Sequence, residues 1–469
     1  MKKYIKHMGL IIAPLLFTIY SCSSSDNEMN TVKYKTVIEE ISITNGGIDG
    51  NTEIKGKIDE NKKTIAFPRL DPKTDLSAIK FKATLSSGAL LDKETYNFTL
   101  KEGETEDTQV IKVLNDTRYR EYFATIRIIA PVFGGDFNKA KLFENCVSGK
   151  NVYPHFSAGS TRGTDFNEKY ALIVSRHGGI NPHLLKTEDI LANKLDNPIM
   201  LNTEGISGGT FPISAGRVFQ DKVYITNMAG NIIKVYYWST PQAKPEVIFE
   251  KDISEAGEGG RFGDSMDMYI DKDGNGYIFF ENNASNKIRR IKVSNFKNIG
   301  GIDIIYPKGS SGEAGGQYFS FTKVEGTPYY IYTGFDAALM LVDEGGNLVT
   351  KVTAVSKRIN QARVINFNQK RYLVGVTAAR YSADSAQSVY VYDITNGETI
   401  TDALELLNAN EYKPVFEKAF GADATTSPGT NCGAAVVNNK LCIFGAADAQ
   451  GFILVEVPIA EPAEEDFYI

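Results

Sequence analysis

The chain is poor in the residues from which many active sites and small-domain frameworks are built. It has four cysteines, four histidines and one tryptophan in 469 residues. Beyond Cys22 the cysteines are Cys146, Cys432 and Cys442, an odd and widely spaced set. That argues against a disulfide framework or a zinc site, and they read as small buried residues. After residue 22 the only histidines are His155, His177 and His183, and H-E-x-x-H does not occur. Zincin chemistry therefore has no motif here. A basic surplus is missing too: the net charge is -6, which offers no face for nucleic acid. Past the N-terminus no segment is apolar enough to span a bilayer.

What is present begins with a leader. Lys2, Lys3 and Lys6 precede an apolar-leaning run from Gly9 to Tyr20, too short for a membrane span and suited to a signal-peptide core. It ends I-Y-S-C, with the small Ser21 before Cys22, which resembles a bacterial lipobox whose cysteine is lipidated; Tyr20 is a less usual residue there. The following S-S-S-D-N-E resembles the surface-export tag of Bacteroidetes lipoproteins, and Ser23 argues against inner-membrane retention. Residues 1–22 are thus expected to be signal peptide and lipobox, lipidated at Cys22, and 23–33 a flexible tether. The expected location is the outer membrane, exposed at the cell surface and held by lipid alone; a multiply acylated cysteine anchors firmly.

Residues 34–130 alternate with period two in short runs such as I-E-E-I-S-I-T (38–44), A-I-K-F-K-A-T-L (78–85), Y-N-F-T-L (96–100) and T-Q-V-I-K-V (108–113). Turn residues separate them, which predicts an antiparallel, loosely Ig-like β-sandwich acting as a spacer. N-D-T-R (115–118) predicts a tight turn between the last two strands. The Pro/Gly-rich stretch 129–136 predicts a linker.

From 137 to 460 one layout recurs six times: a strand end, a polar turn, then an apolar strand. The turns lie near residues 168, 221, 274, 326, 369 and 439. Third and fourth strands follow most of them, for example I-I-K-V-Y-Y-W (232–238) and E-V-I-F-E-K (246–251). Four strands per repeat predict an all-β fold with a β-propeller after the sandwich, favouring six blades, with five and seven left open by the irregular first and fifth repeats. The last repeat lacks a fourth strand, and A-K-L-F-E-N-C-V (140–147) is a spare one that would complete it across the ring junction. An acidic tail occupies 461–469, and E-T-I-T-D-A-L-E-L-L-N-A-N (398–410) predicts an inserted helix. D-K-D-G-N-G (271–276) opens like a calcium loop, but Asn282 stands where the bidentate Glu is required, so it reads as a hairpin tip.

Gly- and Ser-rich loops lead into the repeats, as in H-F-S-A-G-S-T-R-G (155–163) and E-A-G-E-G-G-R-F-G-D (255–264). By analogy with propellers they share one face. The candidate ligand-binding residues there are His155, Arg162, Arg176, His177, Arg261, Phe262, Asp264, Phe335, Arg380 and Tyr381. Aromatic rings beside guanidinium groups suit sugars. Arg162, Arg176, Arg261 and Arg380 could clamp a carboxylate, as sialidase propellers do, although the sialidase boxes are absent. Asp264, Asp267 and Asp336 are candidate acids for a hydrolase. Trp238 reads as core or rim packing.

Taken with the lipobox and the L-D-P-K-T-D-L-S stretch (70–77), this layout resembles Bacteroidetes outer-membrane lipoproteins of a domain-of-unknown-function family. The resemblance implies glycan binding by association with glycan-uptake systems. The expectation is a non-catalytic surface binder of a glycan or other small ligand, with no cofactor and no metal. A propeller glycoside hydrolase or lyase, and a scaffold for an outer-membrane transporter complex, are the alternatives.

Overall fold

The computed structural model describes residues 34–101, 104–130, 132–156, 160–307, 315–334, 337–353, 359–377, 386–409, 413–421 and 430–462. The chain forms two compact units that divide after residue 131. Cys22, Phe335, Asp336, Arg380 and Tyr381 lie outside the described residues, as do the leader, the tether and residues 463–469.

In the first unit a three-stranded sheet runs Thr52–Lys55, Ile38–Gly46, Phe81–Leu85, and a five-stranded sheet runs Lys57–Asp59, Thr64–Ala66, Arg118–Arg127, Glu106–Asn115, Leu90–Leu91. Ile41 and Ile43 of the first sheet share a core with Ile111, Val113, Tyr122 and Ala124 of the second. Alternation supplies that core, because every second side chain of each strand points inward. The last two strands form the expected hairpin, with Asn115 opposite Arg118 and Asp116 at φ 54°. Two expectations are corrected. Thr64–Ala66 pairs parallel with Arg118–Arg127, so the unit is not wholly antiparallel. Residues 96–100 are not a strand: Tyr96 and Phe98 are buried, but only Tyr96 bridges, to Ile79.

Among the described residues the second unit holds six four-stranded sheets, here I to VI, all antiparallel. Their first strands are Thr161–Phe166, Phe211–Phe219, Asp267–Ile270, Ser320–Lys323, Ile359–Phe367 and Thr430–Val437. Each packs beside the first strand of the next sheet and the sixth packs beside the first, so the sheets close a ring of propeller type with these strands innermost. Sheet VI takes its fourth strand from the front of the unit: Lys141–Cys146 pairs with Gly451–Val457. Second strands such as Tyr170–Ser175 are buried at nearly every position and mostly apolar, as strands covered on both faces are.

The six polar turns are the tips joining first and second strands, with Phe166 opposite Ala171, Phe219 opposite Lys222, Ile270 opposite Gly276, Lys323 opposite Tyr330, Phe367 opposite Lys370 and Val437 opposite Lys440. Asn and Gln serve at the tips because positive φ is needed, as at Asn368 (43°), Gln369 (64°), Asn438 (49°) and Asn439 (59°). The inserted helix is Ile400–Ala409; Thr399 and Asp402 cap it reciprocally, and Ile400, Leu404 and Leu407 bury its apolar face. The expected linker is partly absorbed by the ring. Gly134 N–H donates to the Asn368 carbonyl at 2.8 Å, and Gly135 bridges Ile459. Among the described residues no helix is long and apolar enough to cross a membrane.

Candidate functional site

Each first strand begins where its hairpin partner ends, as Thr161 opposite Ser175 illustrates, so these strand ends mark one end of the ring. There the chain assembles a cluster from sheets I, III, IV and VI. Arg162 Nε lies 3.2 Å from Asp448 Oδ2, and its Nη1 donates to Tyr318 Oη at 2.9 Å. Arg176, just past the second strand of sheet I, donates from Nη2 to Asp264 Oδ1 at 3.1 Å and from Nε to Ser214 Oγ at 3.0 Å. Arg261 Nη2 reaches the same Oδ1 at 3.2 Å, and its Nε sits 2.8 Å from Oδ2. One carboxylate thus serves two guanidinium groups. The side chains of Arg176 and Asp264 are each 4% exposed, whereas Arg261 is 34% and Arg162 21% exposed. The cluster has a buried floor and an accessible rim.

The loop carrying Arg261 and Asp264 is fixed from beneath. Glu255 pairs with Lys287, and Glu258 pairs with Arg289. The Arg289 guanidinium lies 4.8 Å over the Phe262 ring, which is fully buried. Arg261 N–H donates to Asn283 Oδ1 at 2.7 Å. Gly263 turns the chain at φ 84°, where a Cβ would come within 2.0 Å of the Asn227 carbonyl, and this turn aims Asp264 at Arg176.

Deeper along the axis lies a second charged group. Arg217 Nε meets Asp267 Oδ1 at 3.1 Å, and Arg363 Nη2 meets Asp165 Oδ1 at 3.3 Å across the ring. Gln361 joins them, accepting from Arg217 Nη2 at 3.0 Å and donating to the Phe319 carbonyl at 3.1 Å. Each aspartate also binds the next sheet: Asp165 accepts from Val218 N–H at 2.9 Å, and Asp267 from Phe321 N–H at 2.9 Å. Burial pushes the Asp267 carboxyl up, but Arg217, Arg363 and the backbone donors outweigh it and hold it below the ordinary range. Gln361 sits at φ 52° inside a bulge between Asn360 and Arg363, a strained backbone that these contacts hold in place. Two arginines against two aspartates make a neutral plug, in which Arg217, Asp267 and Asp165 are buried and Arg363 is partly exposed.

Glu281 ends the second strand of sheet III, fully buried. Its Oε1 accepts from Tyr332 Oη at 2.6 Å and from Gly315 N–H at 3.3 Å. Burial pushes its carboxyl up to about 8, against the smaller opposing effects of Tyr332, Gly315 and Arg289. His183 is buried with Tyr153 Oη at 3.0 Å from Nε2, and burial lowers its pKa to about 4. At the opposite end of the axis a separate cavity of about 360 Å³ is lined by Lys323, Glu325, Arg363 and Asn366 among others. No group of three or more potential metal ligands occurs among the described residues.

Of the sequence candidates, the structure brings Arg162, Arg176, Arg261 and Asp264 together. His177 follows Arg176 and is exposed. His155 sits with Tyr153 and His183, its ring centroid 4.9 Å from that of His183, rather than with the arginines. Phe262 is corrected: it supports Arg289 from within and presents no face to a ligand. Asp267 belongs to the plug. Trp238 is core, fully buried, with its indole N–H donating to the Asn202 carbonyl at 3.0 Å. D-K-D-G-N-G is the sheet III hairpin tip, where Asp271 Oδ1 accepts from Asp273 N–H at 2.9 Å and Asn275 N–H at 2.8 Å. The sequence reading missed Tyr318, Asp448, Asp165, Arg217 and Arg363. The plug's signal in the sequence is a charge set within a first strand, as in R-V-F (217–219) and T-D-F (164–166).

No curated protein matches the chain in sequence. A crystal structure of a DUF4623 family protein from Bacteroides eggerthii is similar at 32% identity and TM-score 0.69, covering 91% of this chain and 99% of that one. Two weaker likenesses are a Bacteroides ovatus xyloglucan PUL GH43B (13% identity, TM-score 0.34, covering 56% of this chain and 53% of that one) and a Cellvibrio cellulosa α-L-arabinanase (12%, 0.33, covering 53% and 95%). At those scores neither bears on this chain's chemistry. A family model described as a domain of unknown function matches residues 25–460, nearly the whole chain, and with the Bacteroides eggerthii structure it shows that the chain belongs to the DUF4623 family.

Proposed function

We propose that this protein is a lipid-anchored cell-surface protein that binds a glycan without turning it over, through the end of the ring that carries the arginine cluster. In this reading the six sheets are the blades of a six-bladed β-propeller, the N-terminal unit is an Ig-like module, and Cys22 is the acylated residue at the outer membrane. The observation that carries it is the meeting of Arg162, Arg176, Arg261, Asp264 and Tyr318 from four separate stretches of chain, with the arginines on the rim open to solvent. Guanidinium and phenol groups on a shallow, polar surface match the hydroxyl-edged faces of sugars.

Binding is favoured over hydrolysis by the state of the acids. Asp264 and Asp448 are both engaged by arginines. Glu281, the acid whose proton is held most tightly, is sealed from solvent beneath Tyr332 and Gly315. A glycosidase needs an accessible pair, one of them protonated.

Affinity electrophoresis of the full chain in detergent against a polysaccharide panel, with reducing-sugar release measured in parallel, tests the proposal. Retardation without sugar release is the expected outcome. Release of reducing ends that disappears in Asp264→Asn would replace the binder with a hydrolase, and no retardation on any polymer would move the reading to a protein scaffold. Protease accessibility on intact cells, with and without Cys22→Ala, tests the anchoring.

A further inference from the structure

We infer that the ligand of the arginine cluster is a sugar that carries a carboxylate, a uronate or similar acidic residue, bound by Arg261 and Arg176 beside Asp264. The inference rests on the glycan-binding proposal and narrows it. Three guanidinium groups meet two carboxylates among the described residues, and the imbalance is concentrated at Asp264, which is shared by Arg176 and Arg261. A half-buried positive excess is costly unless an anion neutralises it. The plug on the same axis shows the alternative, two arginines matched by two aspartates.

The donors are also directed. Arg261 spends Nη2 on Asp264 and turns a third of its side chain to solvent, while its buried Nε, close to Oδ2, makes no well-aligned hydrogen bond. A guanidinium presents its donors as a planar fork that matches a carboxylate, and Arg is suited to that match where Lys is not. Tyr318 Oη already accepts from Arg162, and no described residue accepts its own hydrogen, which is left to donate to an incoming anion. Arg176, stacked 5.3 Å over Phe211 and tied to Ser214, is held in place before any ligand arrives. A carboxylate seated there would add a second acceptor for the two guanidinium groups that share Asp264, and the neighbouring ring atoms of the sugar would lie on the polar rim.

The test uses the full chain in detergent and affinity electrophoresis with polygalacturonate, alginate and hyaluronan. Each is paired with its carboxyl-reduced form, alongside dextran sulfate and a neutral β-glucan. Retardation by at least one uronate polymer, lost on carboxyl reduction, is expected. Arg261→Met should weaken it about tenfold or more, and Arg261→Lys should restore little of it, since the fork and not the charge alone is read. Retardation by the neutral glucan alone overturns the carboxylate while keeping the glycan proposal, and no retardation by any polymer overturns both. Equal retardation by dextran sulfate makes the interaction generic charge attraction and overturns the inference. So does full binding by Arg261→Met whose unfolding midpoint is unchanged.

Discussion

The plug and the rim cluster use the same residue types a short distance apart on one axis, yet they differ in two respects. In the plug two arginines face two aspartates with no charge left over; Arg217, Asp267 and Asp165 are buried, and Arg363 is 20% exposed. In the cluster three arginines share two aspartates, and two of the arginines reach solvent. A charge-balanced network has no surplus to offer an anion, so it is best understood as what fixes the first strands of the ring in register. An unbalanced one has donors to spare, and the proposed binding reading rests on that difference. In that reading charge balance, more than the presence of arginine or its exposure, separates structure from site.

The largest effect should come from breaking the plug. Arg217→Met leaves Asp267 buried without its nearest counter-charge and removes the link to Gln361. Removing one partner of a buried pair costs about 3–5 kcal/mol, and denaturant unfolding should show a loss of that size in the ring unit. A loss under about 1 kcal/mol would mean that the plug is not the structural element described here and would erase the contrast.

Glu281 sharpens the comparison because it is a buried acid whose hydrogen-bond donors are a tyrosine and a backbone amide, with no guanidinium among them. Its folded pKa is raised to about 8 from an ordinary value of 4.5, so the folded protein binds a proton that the unfolded chain has released. Its stabilising contribution is complete below about 4.5, declines as pH rises, and is gone above about 8. Each pKa unit corresponds to about 1.4 kcal/mol. Glu281→Gln, which mimics the neutral acid, should match the wild type at pH 5 and exceed it in denaturant midpoint at pH 9. Parallel pH profiles for the two proteins would show that Glu281 is ionised in the fold and that its burial is compensated in some other way.

Much of this was legible in the residues. The ring could be counted because each sheet turns on a short polar tip, and tips demand Asn, Gly or Asp whatever the packing around them. The rim arginines could be guessed because glycine-rich loops precede the first strands. The rest depends on contacts between distant parts of the chain. Tyr318 reads as one more core aromatic until Arg162, 156 residues away, is found donating to it. Asp448 sits in an unremarkable A-A-D-A-Q turn. Arg363 and Asp165 lie on sheets V and I and meet only because the ring closes. Phe262 was misread because neighbours in a loop need not face the same way: Arg261 goes to the rim and Phe262 under Arg289.

Arg261→Met is the counterpart of Arg217→Met at the rim. The residue is a third exposed and shares its carboxylate with Arg176, so stability should change by less than about 1 kcal/mol while ligand retardation is lost. If both variants lost similar stability, the two networks would be one, and the division between them would fail.

The smallest effect tests whether the distinction extends to a third carboxylate. Asp264, Asp267 and Asp271 fall within eight residues of one another, and only their surroundings separate a site acid, a plug acid and a turn acid. Among the described residues Asp271 pairs with no arginine; its Oδ1 instead holds the amides of Asp273 and Asn275 across the hairpin tip. Asp271→Ala should therefore cost no more than about 1 kcal/mol, the worth of ordinary turn hydrogen bonds, and leave glycan retardation intact. Calcium or EDTA should not shift the melting temperature of either protein, because the tip's carboxylate oxygens are spent on its own backbone. A calcium-dependent rise in the wild type that Asp271→Ala abolishes would turn the tip into a ligand loop, and charge balance would then not be enough to tell site from scaffold.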